Sequence, residues 1–187
     1  MSDATRRATI VATVTAPEEL APAALERLAG RADWIEVRAD RVGDVDPTPL
    51  RAHFPGTWLY TLRSRAEGGA MSASRDARRR RLVAMAPFYD RVDLEADRDL
   101  GPDLLAAVEM ERRVVSWHGP AADLASLRAR FEHMARTPAG LYKLVPRADV
   151  SGEELAPLVL LYALDRRDVV AFAGGAAGAW TRLVAPV

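Results

Sequence analysis

The stretch WIEVRAD, residues 34–40, decides the fold. Side chains alternate across a β-strand. Ile35 and Val37 therefore share one face, and Glu36, Arg38 and Asp40 share the other. The same division recurs along the chain. In LYTLRS (59–64), Tyr60 and Leu62 oppose Thr61 and Arg63. In RVDLEAD (91–97), Val92 and Leu94 oppose Asp93 and Glu95. In VVSWHG (114–119), Val115 and Trp117 oppose Ser116 and His118, and in GLYKLV (140–145), Tyr142 and Leu144 oppose Lys143. Each strand has one apolar face and one charged face.

Working outward, a strand TIVATVTA (9–16) precedes this set and a strand DVVAFAGG (168–175) follows it. Helix-like runs separate them: PEELAPAALERLAG, PTPLRAHF, RDARRRRLVAMAPFY, PDLLAAVEME, DLASLRARFEHMART and SGEELAPLVLLYAL. AAGAWTRLVAPV closes the chain and reads as a short helix and a tail. Alternating βα units imply a parallel sheet with helices outside. Seven of them in one domain, residues 1–187, predict an α/β fold of the TIM-type (β/α)₈ barrel, C-terminally short and lacking the eighth βα unit. The apolar series then faces the helices and the charged series points into the barrel. A sheet closed by eight strands cannot close with seven. The first and seventh strands are expected to keep open edges, which invite a homodimer or other self-association.

Composition narrows the function. The 187 residues carry 26 Lys and Arg against 26 Asp and Glu. That neutral balance argues against a nucleic-acid partner. There is no cysteine, hence neither a disulfide framework nor a thiolate metal site. MSDATRRAT lacks an apolar signal core, and no run approaches a membrane span, so a cytoplasmic chain with no membrane partner is expected. The basic run RDARRRRL (75–82) reads as the solvated face of a helix, and His53 and His133, in helix-like runs, read as solvated. FAGGAAGA lacks the context of a dinucleotide-binding turn and reads as a tight loop after the seventh strand.

Lys143 is the only lysine in the chain. Inside a barrel, loss of solvation favours its neutral amine. Arg38 and Arg63 push the same way, while Glu36, Asp93 and Glu95 push back. Arginine stays protonated and cannot attack a carbonyl, whereas a neutral lysine can form a Schiff base. His118, one strand earlier, is a candidate acid/base partner. An interior ion-pair network that only sets strand register is the competing reading of the same charges.

At these residues the chain resembles the type I 3-dehydroquinate dehydratase (Schiff-base dehydroquinase) family. EVRAD is similar to that family's Glu-x-Arg-x-Asp, TLRSRAEGG to its Thr-x-Arg-(Ser/Thr)-x-x-Glu-Gly-Gly, VDLEAD to its Asp-x-Glu, VVSWHG to its Ser-x-His, YKLV to its lysine strand and GAWTRLVAPV to its Gly-x-x-(Ser/Thr)-Arg. The resemblance implies a cofactor-free, metal-free hydro-lyase of the shikimate pathway whose small-molecule partner is 3-dehydroquinate. It implies that Lys143 forms the imine, that His118 removes the C2 proton and that Glu67 orients His118. Glu36, Arg38 and Arg63 would hold the ring hydroxyls and carboxylate region, and Arg182 the carboxylate. Asp93 and Glu95 would support the lysine and the charged interior. The chain has FAGG where the family has Ser-Met-Gly, and it stops before the family's eighth strand and lid. Another Schiff-base barrel enzyme of the class I aldolase type, or a non-catalytic or partner-dependent barrel domain binding a related acid, are the alternatives.

Overall fold

The structure is a computed structural model and describes residues 8–185. Residues 1–7, within the stretch read as lacking a signal core, and residues 186–187, the end of the expected tail, lie outside the described residues. Seven strands form one parallel sheet in sequence order: β1 (Val11–Val14), β2 (Trp34–Arg38), β3 (Thr57–Thr61), β4 (Arg91–Glu95), β5 (Arg113–Gly119), β6 (Leu141–Pro146) and β7 (Val169–Ala171). The helices are α1 (Pro22–Leu28), α2 (Ala39–Val42), α3 (Arg75–Met85), α4 (Pro102–Ala107), α5 (Leu124–Met134), α6 (Leu155–Leu164), α7 (Gly175–Gly178) and α8 (Thr181–Val184). The sheet is a TIM-type barrel without an eighth βα unit among the described residues, and β1 and β7 each pair on one side only. Glu36 is in register with Leu59 yet bonds Thr61, one pleat further on.

The apolar faces pack outward, as the alternation requires. Ile35, Val37, Trp58, Tyr60, Leu62, Val92 and Leu94 meet Leu25, Leu82 and Leu104 of the helices in one buried cluster. Val115, Trp117, Tyr142, Leu144, Val169 and Ala171 meet Leu127, Phe131, Met134 and Leu160 in a second. Leu100 packs against both clusters. The inward series holds Glu36, Thr61, Asp93, Glu95 and Ser116, all buried.

Three expectations change. Asp40 is not a strand residue: β2 ends at Arg38, and Asp40 lies in the single turn α2. PTPLRAHF forms only a 3₁₀ turn at Thr48–Leu50. Pro47 and Pro49 sit at its start, where no donor is needed, and Pro55 stops the run from continuing as a longer helix. The run 75–82 is not a solvated face throughout, because Arg78 is buried on α3, one turn before Leu82 and on the same side. FAGGAAGA gives the tight turn and then the one-turn α7. Of the two remaining histidines, His133 is exposed and His53 is half-buried, with Nδ1 2.8 Å from Glu26.

Candidate active site

The charges converge where β2 to β6 end, the C-terminal mouth at which barrels of this type carry their chemistry. A cavity of about 500 Å³ lies at the opposite end, beside Asp33, Trp34, Gly56 and Asp90 at the strand starts, away from these charges.

On the β1–β3 side, Glu36 accepts hydrogen bonds from Thr13 Oγ1 (2.9 Å) and Thr61 Oγ1 (2.8 Å). Its Oε1 lies 3.6 Å from Lys143 Nζ, and the lysine side chain is 15% exposed. Burial opposes ionisation of Glu36, but Lys143, the two hydroxyls and Arg63 outweigh it, and its pKa falls to about 2. Arg38 makes a two-pronged bond to Asp40, 2.8 Å at each prong. Asp40 also accepts from the backbone of Ala70 (2.9 Å) and Arg63 (3.3 Å), tying the loop after β3 to the end of β2.

Arg63 is the hub. Its Nη2 donates to Asp93 (2.9 Å), and its Nη1 to Glu67 (2.7 Å), Ser116 (3.1 Å) and Glu95 (3.4 Å). Ser116 in turn donates to Asp93 (2.6 Å). Burial opposes the charge of Arg63, but Asp93, Glu67, Glu95 and Glu36 outweigh it and hold the guanidinium firmly protonated. Asp93 and Glu95 thus turn to Arg63, and the carboxylate beside Lys143 is Glu36.

Glu67 reaches this hub from the turn after β3 because two glycines follow it. Gly68 adopts φ +82°, and a Cβ on Gly69 would stand 2.1 Å from the carbonyl oxygen of Arg63. The chain doubles back there, with Gly69 N–H bonding Ser64 O (2.8 Å) and Met71 N–H bonding Arg63 O (3.1 Å). Only glycine fits such an approach.

Glu67 Oε2 meets three nitrogens: Arg63 Nη1 (2.7 Å), the backbone N–H of His118 (3.0 Å) and His118 Nδ1 (3.3 Å). Two are obligate donors, so Oε2 acts as an acceptor and we assign the Nδ1 proton to His118. The other oxygen, Oε1, is buried without a hydrogen-bond partner. Burial raises the Glu67 pKa to about 8, Glu95 and Asp93 adding to the rise while Arg63 and the His118 N–H oppose it. A neutral Glu67 can carry its proton on Oε1, which leaves Oε2 to accept from the ring in either state. Burial, reinforced by Arg63, Lys143, Arg38 and Arg182, pushes the His118 pKa far down. The imidazole is neutral, with Nε2 unprotonated and 23% of the side chain open to solvent. That is the state a general base needs.

Arg182 on α8 is exposed, its guanidinium 5.0 Å from the Phe172 ring. The Thr181 hydroxyl holds this segment, accepting from Ala173 N–H (2.9 Å) and donating to Gly178 O (2.6 Å). The inferred residues Lys143, His118, Glu67, Glu36, Arg63, Asp93 and Glu95 come together, Arg38 stands at their edge, and Arg182 bears on them through its charge. Sequence reasoning assigned no role to Thr13, Ser116, Arg78 or Asp99. Inward register could have found Ser116 beside Lys143, its partner on β6. Among the described residues, no cluster of His, Cys, Asp or Glu is arranged to hold a metal ion, and no helix is long and apolar enough to cross a membrane.

Known proteins carry the same plan. The family model described as Type I 3-dehydroquinase matches residues 10–187. A 3-dehydroquinate dehydratase of Methanothermobacter thermautotrophicus is 31% identical over 176 residues, covering 91% of this chain and 78% of that one. A 3-dehydroquinate dehydratase of Pyrobaculum aerophilum is 30% identical over 162 residues, and the chain spans about half of it (51%). A type I 3-dehydroquinate dehydratase of Clostridium difficile, solved with covalently modified comenic acid, superimposes with a TM-score of 0.77 at 18% identity, over 95% of this chain and 80% of that one. The Enterococcus faecalis 3-dehydroquinate dehydratase gives 0.74 at 19% identity, over 96% and 85%. With its family model matched over nearly its whole length, and with the lysine, histidine and Glu-Gly-Gly turn at one barrel mouth, the chain belongs to the type I 3-dehydroquinase family.

Proposed function

We propose that this chain dehydrates 3-dehydroquinate to 3-dehydroshikimate, the third step of the shikimate pathway, through an imine on Lys143. The observation that carries the reading is a lysine fixed by an ionised Glu36 with a neutral, oriented imidazole on the next strand. The amine of Lys143 adds to the substrate ketone and expels its oxygen as water. His118 Nε2 then takes the C2 proton, and the electron pair moves into the protonated imine, which accepts it more readily than a ketone does. The resulting enamine expels the C1 hydroxyl, which leaves as water with the proton that His118 returns. Hydrolysis of the imine releases the product and restores Lys143. Base help of this kind contributes roughly 10²–10⁴-fold.

Arg38, Arg63 and Glu36 line the approach for the ring hydroxyls and carboxylate region. Arg182 offers the fork suited to a carboxylate, and its influence on His118 supports a place at the same mouth. Borohydride reduction with substrate present tests the reading. One reduced adduct on the Lys143 peptide is expected, and an adduct that is absent or confined to the N-terminal amine overturns it.

We also propose that two copies associate. Among the described residues, β1 and β7 each pair on one side only. α6 presents Leu155, Val159 and Tyr162 to solvent on one face, Tyr162 90% exposed, and Ile10 and Val11 are exposed at β1. Such edges and apolar patches favour a partner. Sedimentation velocity is expected to show a dimer, and a monomer throughout the micromolar range overturns this part.

A further inference from the structure

Arg78 is a buried cation that the chemistry above does not use. It is 3% exposed and comes from α3, outside the sheet, where its spacing from Leu82 marks a core position. Burying a guanidinium costs several kcal/mol unless its hydrogen bonds are met, and an apolar side chain would pack there without that cost. Each of the three Arg78 nitrogens finds an acceptor here. Nε and Nη2 grip Asp99 at 2.8 and 2.6 Å. Nη1 donates to the carbonyl oxygen of Leu62, the residue before Arg63. Nη2 also stands 3.5 Å from Glu95 Oε1. Asp99 completes the figure by accepting the backbone N–H of Glu95 (2.8 Å).

Glu95 Oε1 is therefore a junction. It receives Ser64 N–H (2.7 Å) and Arg63 Nη1 (3.4 Å), and it faces Arg78. Without Arg78, Glu95 would keep only Arg98 Nε, 3.5 Å from Oε2, beside Arg63, and would draw harder on Arg63, which also holds Glu67 and Asp93. Arg63 Nη1 is shared between Glu67 and Glu95, so a more negative Glu95 competes with Glu67 for the same nitrogen. Arg78 counters this twice, by partly neutralising Glu95 and by holding the backbone from which Arg63 springs.

We propose that Arg78, with Asp99, is a positioning residue that aims Arg63 at Glu67 and so sets the Glu67–His118 contact. The effect runs through a continuous path of 3.5 Å from Arg78 to Glu95, 3.4 Å to Arg63, 2.7 Å to Glu67 and 3.3 Å to His118. Lys143 and Glu36 lie off this path. Loss of Arg78 should accordingly leave the Lys143 amine able to form the imine and slow the proton transfer, with substrate capture weakened only as far as Arg63 itself moves.

The inference rests on the imine reading, and the test separates the two. Arg78→Met alone strands Asp99 and can fail to fold, so the decisive variant is Arg78→Met with Asp99→Asn, which leaves no stranded charge and keeps an acceptor for Glu95 N–H. Since a misplacement of about 1 Å can cost about 10²-fold, kcat should fall on the order of 10-fold or more, a larger change than any rise in KM for 3-dehydroquinate. Borohydride should still trap the Lys143 imine. The nitrogen-15 spectrum of the His118 ring should show an altered Nδ1–H signal, a readout independent of turnover. Arg78→Lys keeps the charge without the fork and should fall between. A folded double variant with kcat within about twofold of wild type, or one that raises KM at constant kcat, overturns the role of Arg78, as does an unchanged His118 spectrum. Absence of the adduct in wild type overturns the imine reading instead, and this inference with it.

Discussion

Replacing Glu67 by glutamine keeps the outline of the side chain and removes its titration. An amide oxygen can still accept from Arg63 and His118 where Oε2 now does, and the NH₂ group occupies the place of Oε1. The folded state raises the Glu67 pKa from 4.5 to about 8. The folded chain therefore binds this proton more tightly than the unfolded chain. The stability tied to it is complete below pH 4.5 and is lost as the pH rises through about 8. Each pH unit inside that window is worth about 1.4 kcal/mol. From pH 5 to 7 wild type should lose ~2 kcal/mol relative to Glu67→Gln. Urea titrations of both proteins at pH 5, 6, 7 and 8 measure this difference, in which other titrating groups largely cancel. A gap between the two curves that stays constant with pH would refute the reasoning and return Glu67 to an ordinary ionised carboxylate.

Lys143→Arg should abolish both the borohydride adduct and turnover, and residual turnover above about 1% would point to another nucleophile. His118→Ala should keep the adduct while kcat drops roughly 10²–10⁴-fold, as read by steady-state kinetics. Gly69→Ala forces a Cβ to 2.1 Å from Arg63 O, and should cost about 1–3 kcal/mol in a denaturant melt and reduce kcat through the displaced Glu67. Thr61→Val removes a 2.8 Å donor from Glu36 and should cost about 1 kcal/mol, lowering Tm by ~2–4 °C in calorimetry.

Strand alternation alone placed the two sides of the wall. Ile35, Tyr60, Leu94, Val115 and Leu144 are buried toward the helices, and Glu36, Asp93, Glu95, Ser116 and Lys143 line the inside. A period of two is a local property, so it survives without knowledge of neighbours. Pairings across the sheet were not legible. Which carboxylate meets Lys143 depends on the stagger between strands, and that stagger directs Glu36 to Lys143 and leaves Asp93 and Glu95 to Arg63. Glu67 could be named only from its Glu-Gly-Gly motif, since it stands on a turn whose path is set by glycine contacts with Arg63. Arg78 misled because four consecutive arginines suggest a solvated face, while the burial of one of them follows from its spacing to Leu82 and a carboxylate from another βα unit, Asp99. The helix expected at PTPLRAHF stayed short for a local reason, Pro55 directly after it.

The outer core comes in two pieces, and the reacting groups are divided between them. Glu36, Arg63 and Glu67 travel with the cluster under β1–β4, and His118 and Lys143 with the cluster behind β5–β7. Across the boundary run the ladder from Val92–Arg113 to Glu95–Ser116, the charged contacts of the site and the side chain of Leu100. The site therefore spans a joint between two packed halves, which Arg112 also bridges through the carbonyls of Ala86 and Tyr89. A slight opening along that joint would leave each half's packing whole, yet lengthen both the Glu36–Lys143 and the Glu67–His118 gaps. On warming, turnover should therefore fade before either half melts, and a ligand bridging the halves should act as a latch, holding shut what neither core closes by itself.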